Sequence, residues 1–263
     1  MHTQTAGDLL RHWRVARRLS QLELAGRAET STRHLSFIET GRATPSRQMI
    51  LHLSDELEIP LRERNRMLLA AGYAPVYSES ALDSPAMEPV RNAVRQILTG
   101  HEPHPALAVD ASWNMLDANA GIALFLEGID PALLAPPVNA LRLSLHPDGL
   151  AGRITNLAEW RGHLFERLQH QIDASGAPDL IALLAELRGY PGGEEAPGLP
   201  APDQAVVPLR LRLDGHDLAF ISVTTVFGTP MNVTVAELAI EAFFPADAAT
   251  ATLLRERLAV QAD

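Results

Sequence analysis

The sequence predicts two domains of different class: an all-α bundle of five short helices, then an α+β domain with an antiparallel sheet. Three observations carry this. Up to about residue 71, apolar residues recur at helical spacing, with cap and stop residues between the runs. Pro75 to Pro89 is rich in Ser, Pro and Ala and marks a boundary. Beyond residue 205 the apolar period falls to two around an Asp-Gly hairpin signal. The expected division is a bundle at 1–75, a linker and connecting helix at 76–98, and a second domain at 99–263.

Residues 7–18 read as a first helix on the stripe Leu9, Leu10, Trp13, Ala16 and Leu19. Ser20 is a good N-cap for a second helix, with Glu23 as its capping-box partner and Leu22, Leu24, Ala25 and Ala28 as apolar positions. Thr30 or Ser31 opens a third helix ended by Thr40-Gly41, with Leu35 and Ile38 inward. Ser46 caps a fourth, bearing Met49, Ile50, Leu53 and Leu57. Pro60 marks the start of a fifth, over Leu61–Ala71, which Gly72 ends. A further helix spans Met87–Leu98.

In the second domain, Ala106–Asp110 and Asn114–Ala118 are short strand candidates, and Asn119–Leu126 is a helical run. Asn139–Leu145 reads as a strand or extended segment, while Leu157–Ile172 and Asp179–Leu187 read as helices. Pro191–Pro202 is a Gly/Pro/Glu-rich surface loop. Val207, Leu209, Leu211 and Leu213 form an inward row, Asp214-Gly215 turns the chain, and the return strand places Ala219, Ile221, Val223 and Phe227 on one face. A third strand near Ala236–Phe244 and a short helix at Leu253–Leu258 follow. This order suggests helices covering one face of the sheet.

Composition narrows the function classes. With no cysteine, thiolate chemistry, disulfides and cysteine-ligated metals are excluded. Residues 1–20 carry four arginines and no apolar block, unlike a signal peptide, and a cytoplasmic, non-membrane protein is expected. The net charge of −10 is unevenly spread. Residues 1–75 hold eleven arginines against eight acidic residues, and the remainder eleven against twenty-four. A mildly basic module on an acidic body can still meet phosphate, because the local field decides the encounter.

The basic module has the parts of a DNA reader. A scaffold helix crosses the backbone while a second helix enters the major groove with its N-terminal residues first. Gln21 sits at the opening turn of the second helix, where an amide and free backbone N–H groups can hold a phosphate. Thr32, Arg33, Ser36 and Phe37 fall on the outer face of the third. Arg33 has the donor fork for guanine, and Thr32 or Phe37 can meet a thymine methyl. Phe37 can equally pack on the Thr40–Pro45 loop. Arg14, Arg17, Arg42 and Arg47 suit phosphate, although the arginines of the first helix also read as an ordinary solvated face. Glu39 is expected to tie the helix end to the loop after it.

Residues 7–72 resemble the Xre/Cro-type helix-turn-helix family. Leu19-Ser20-Gln21-Leu22-Glu23-Leu24-Ala25 is similar to its scaffold helix, and Ser31 to Arg42 to its recognition helix with the following Ile-Glu-x-Gly-Arg. Pro45-Ser46 matches the start of its fourth helix. Gly26 departs from the usual larger residue. The resemblance implies a five-helix lambda-repressor-like bundle, with Gln21 on phosphate and Thr32, Arg33 and Phe37 on base edges.

A longer resemblance, to the MmyB-like regulators, rests on three blocks. These are Leu61-Arg62-Glu63-Arg64-Asn65 with Leu68 to Pro75, Val109 to Asn114 with Asn119, and Leu143 with Leu145 to Leu150 and Asn156 to Trp160. It implies a PAS-like C-terminal domain for fatty-acid-like or other small apolar molecules, and a homodimer on a roughly palindromic double-stranded operator. No cofactor is required; a fatty acid or similar apolar molecule is the implied effector.

The residues themselves leave more open. Trp113, Leu124, Phe125, Trp160, Leu164 and Phe165, with the inner rows of the hairpin, can line a pocket or fill a core. Asn119, His146 and Arg161 can orient a polar ligand group, although His146 to Gly149 also reads as a plain turn. A protein-interaction module is the alternative for this domain. An enzyme is the weaker one, since no zinc motif, nucleophile elbow or phosphate loop is present. The sequence therefore reads as a sequence-specific transcriptional regulator, without a metal site or catalytic residues.

Overall fold

The computed structural model describes residues 4–192 and 206–261, so the loop expected at Pro191–Pro202 lies mostly outside the described residues. The chain divides into two compact units, chiefly the residues up to Glu79 and chiefly those from Ser80 onward.

The first unit is an all-helical bundle: α1 (Ala6–Ala16), α2 (Gln21–Arg27), α3 (Thr32–Glu39), α4 (Arg47–Glu56) and α5 (Leu61–Ala70). Local chemistry sets each start. Thr5 with Asp8 and Ser20 with Glu23 form complete capping boxes, while Ser31 and Ser46 accept from the backbone N–H of His34 and Met49. Left-handed residues set several ends. Arg18 (φ 55°) stops α1 two residues before the sequence reading, with Leu19 N–H donating to Arg14 O at 3.0 Å. Ala16 is consequently exposed, and so is Leu22 (71%), which is apolar but lies on the outer side of α2.

The inner stripes meet in one core of Leu9, Leu10, Trp13, Leu24, Leu35, Ile38, Ile50, Leu53, Leu57 and Leu68. Each such side chain contributes roughly 1.5–3 kcal/mol on full burial, against a comparable entropy cost of ordering. Gly7 brings α1 and α3 to backbone contact: a Cβ there would lie 2.2 Å from Ile38 O.

The second unit is mixed α+β, with a curled antiparallel five-stranded sheet. In chain order its elements are α6 (Glu88–Gly100), β1 (Ala106–Val109), β2 (Met115–Ala118), α7 (Ala123–Leu126), α8 (Ala140–Leu145), α9 (Leu157–Ser175) and α10 (Pro178–Arg188). There follow β3 (Leu209–Leu213), β4 (His216–Val226), α11 (Val233–Ala236), β5 (Ala239–Pro245) and α12 (Ala248–Gln261). The strand order is β2-β1-β5-β4-β3, so the last strand in sequence is central. Asp214 (φ 50°) and Gly215 (φ 80°) make the two-residue β3–β4 turn, as the Asp-Gly signal requires.

Three expectations need correction. Asn139–Leu145 is helical from Ala140: the Asn139 side chain accepts from Arg142 N–H and caps a short helix whose three alternate leucines are all buried. Their alternation imitates a strand because Leu141, Leu143 and Leu145 are all buried while Arg142 and Ser144 between them are only partly so. The buried row of β4 is Leu218 and Phe220, opposite Leu211 and Leu209; Ala219, Ile221 and Val223 occupy the other face, and Phe227 lies beyond the strand. A parity slip of one residue exchanges the faces. Helices also cover both faces of the sheet, since Val94 and Leu98 of α6 pack on Ala106, Ala108, Ile240 and Ala242.

Candidate DNA-reading face and ligand cavity

On α3, Thr32, Ser36, Arg33 and Phe37 fall within an arc of about 140° at 100° per residue. Leu35 and Ile38 point the other way into the core. Arg33 is exposed, and its guanidinium lies over the Phe37 ring at 5.3 Å; Arg42 approaches the same ring at 6.0 Å. Phe37 is therefore half-buried between two cations rather than in the core. This holds Arg33 against an aromatic surface and leaves its donor edge available for planar recognition. Arg47 is exposed at the first turn of α4.

Two of the basic residues assigned to phosphate serve the bundle. Arg14 donates from Nε and Nη2 to Glu39 at 2.6 and 2.8 Å, and from Nη1 to Leu19 O at 2.8 Å. Arg17 donates to the carbonyls of Leu57 and Glu58 at the end of α4 and stacks on Trp13. Gln21 likewise gives its amide to Glu39 at 2.8 Å. Glu39 thus ties α1, α2 and α3 together, more than the helix-to-loop role expected of it. Burial pushes its carboxyl up, but the hydrogen bonds from Arg14 and Gln21 outweigh burial and hold it below the usual carboxylate range.

In the second unit an apolar cavity lies between one sheet face and α7, α8 and α9. It leaves about 70 Å³ open to the centres of water-sized molecules. That is several times the roughly 10–15 Å³ one water needs, so it exceeds a packing defect. Leu107, Met115, Phe125, Leu143, Trp160, Leu164 and Phe243 supply apolar wall, and Ser144, Ser222, Arg167 and Glu241 supply polar atoms. Phe125 is fixed edge-on by Phe220 and Phe243. Trp113 enters from a left-handed backbone (φ 67°), sparsely populated for a bulky residue. The Asp110 carboxylate holds that turn by accepting from Ser112 and Asn114 N–H, and the indole N–H donates to Gln171 at 2.8 Å.

Of the residues singled out for a ligand, Trp113, Phe125 and Trp160 line the cavity. The other four do not. Asn119 accepts from Ala106 N–H and donates to Leu98 O and His104 O, which fixes the entry to β1. His146 accepts from Asp148 N–H within a turn that only Gly149 fits, since a Cβ there would lie 2.4 Å from Leu143 O. Arg161 donates to Tyr190 O and Pro191 O and lies over Phe165. Trp160, Leu164 and Arg167 share one face of α9, whereas Arg161 and Phe165 lie roughly 100–140° round the helix.

The sequence reading missed Arg167 and Glu241. Arg167 Nη1 donates to Glu241 Oε2 at 2.9 Å, Nη2 reaches the other oxygen, and the guanidinium lies 4.5 Å from the Trp113 ring centroid. A signal existed for both. Arg167 is seven residues from Trp160 on α9, and Glu241 shares strand parity with Phe243. Neighbouring His163 is held below the usual histidine range by burial and then by the charge of Arg167.

Among the described residues, no helix is long and apolar enough to cross a membrane, and no cluster of His, Asp or Glu could hold a metal ion. A family model described as the MmyB-like transcription regulator ligand binding domain matches residues 90–256, and one described as a helix-turn-helix domain matches residues 5–67. Both are regulatory, non-catalytic families. No curated protein matches the chain.

Proposed function

Because the chain belongs to the MmyB-like transcription regulators, we propose that it reads a double-stranded operator and that a small apolar molecule in its C-terminal domain changes operator affinity. The observation that carries this is the apolar cavity, walled by Trp113, Phe125 and Trp160, in a chain that also bears a helix-turn-helix head. On this reading the head is a lambda-repressor-like bundle over 1–75, joined through 76–98 to a PAS-like domain over 99–263, in a cytoplasmic homodimer. Thr32, Arg33, Ser36 and Phe37 face base edges, while Arg42, Arg47 and the opening turn at Gln21 meet phosphate. Arg14 and Arg17 are left out of that set, because their guanidinium groups are engaged inside the bundle.

Regulation requires that the effector bind more tightly to one DNA-binding state than to the other. Native mass spectrometry of the purified protein, with extraction of what remains bound, reports subunit number and effector mass together. Operator titrations with and without that molecule then test coupling. Equal DNA affinity in both arms would rule the regulatory reading out.

A further inference from the structure

The polar end of the cavity contains both members of an ion pair. Glu241 stands on the central strand, between Leu107 of β1 and Thr224 of β4, with its side chain 4% exposed. Both of its oxygens take N–H groups of Arg167, whose own side chain is 26% exposed and covered on one face by Trp113. The pair is therefore electrically neutral toward the cavity. The remaining polar wall is hydroxyl: Ser222, and Ser144, which accepts the Trp160 indole N–H at 2.9 Å and keeps its own proton to give.

An aliphatic chain fits this wall, but a carboxylate head does not. A ligand anion drawn to the remaining N–H groups of Arg167 would stand beside the Glu241 carboxylate, and taking that carboxylate's place would leave a buried, unpaired charge in the middle of a sheet. That penalty exceeds what exchanging one carboxylate for another returns. His163 supplies no second cation near neutral pH. A neutral head loses nothing here, since the hydroxyls of Ser144 and Ser222 can satisfy it without Glu241.

We propose that the cavity takes an uncharged amphiphile, a short aliphatic chain ending in an alcohol, ester or amide, in preference to a fatty-acid anion. This rests on the reading of the cavity as a ligand site. Glu241 acts as the specificity residue by occupying the only cation on the cavity wall among the described residues.

The test uses the full-length protein and two probes of equal chain length, n-octanol and octanoate, titrated at neutral pH. Trp113 and Trp160 report binding by fluorescence, with calorimetry as the second readout. In the unaltered protein n-octanol is expected to bind about tenfold or more tighter than octanoate. In Glu241→Gln, which removes the negative charge paired with Arg167, octanoate should gain about tenfold or more while n-octanol changes less than about threefold. This switch separates recognition of the head from the general preference of an apolar wall for a neutral molecule. Glu241→Ala is the second variant, with the same expected switch. Tighter octanoate binding in the unaltered protein, or no gain for octanoate in either folded variant, overturns the proposal. Saturable binding of neither probe to the unaltered protein instead overturns the reading of the cavity as a ligand site.

Discussion

Arg14 and Glu39 meet through two parallel N–H···O bonds of 2.6 and 2.8 Å, with only 11% and 2% of their side chains exposed. The pair joins the first helix of the bundle to the last turn of α3, and Gln21 joins it from α2. Glu39→Ala would leave Arg14 buried without its partner. We expect a loss of about 3 kcal/mol or more, read by urea unfolding of the full-length protein. Because the folded-state carboxyl is held below its ordinary 4.5, this stabilisation is present above that value and is lost as pH falls through the lower folded one. Glu39→Gln should remove that acid-side dependence.

Arg33 and Arg47 are expected to fail differently. Arg33→Ala should cost about 1–3 kcal/mol on the selected operator and much less on a mismatched duplex, relaxing preference at one base position. Arg47→Ala should weaken all duplexes evenly and lower the salt slope of binding by about one. Fluorescence anisotropy over a salt series, with duplexes from a random-sequence selection, separates the two. Equal losses on matched and mismatched duplexes for Arg33→Ala would remove its base-reading role.

Gly26 sits inside α2 with nothing within 4 Å of where a Cβ would stand. Gly26→Ala should therefore stabilise the bundle by about 0.5–1 kcal/mol through helix propensity alone. A higher unfolding temperature with unchanged operator affinity is the expected result.

His101, His104 and His163 are all held below the ordinary histidine value of 6.5, chiefly by burial. Below that value the unfolded chain takes up protons that the folded one resists. Stability is thus full above about pH 6.5 and falls as pH drops toward the lower folded values. Unfolding temperature measured between about pH 8 and pH 5 should show the decline, and His163→Gln should flatten part of it.

The bundle was legible in the sequence because its signals are local. Ser20 with Glu23, Ser31 and Ser46 each cap a helix within three residues of themselves. Arg33 and Phe37 could likewise be placed on the outer face from spacing alone. What escaped was set by distant neighbours. The alternating leucines of Asn139–Leu145 fit a strand until the Asn139 cap is seen. The inward row of β4 depends on pairing with β3. Asn119, His146 and Arg161 are polar groups near apolar runs in the sequence, yet each satisfies backbone groups instead. Arg167 and Glu241 escaped because their seventy-four-residue separation closes only when α9 covers the central strand.

The contact of Gly7 with the Ile38 carbonyl has a mechanical consequence. With backbone against backbone, and the Arg14–Glu39 bonds beside it, α3 has no slack in which to slide or tilt against α1. α1 and α3 then move as one solid piece. On the proposed reading, an effector would then change operator affinity while the pattern of bases favoured stays the same.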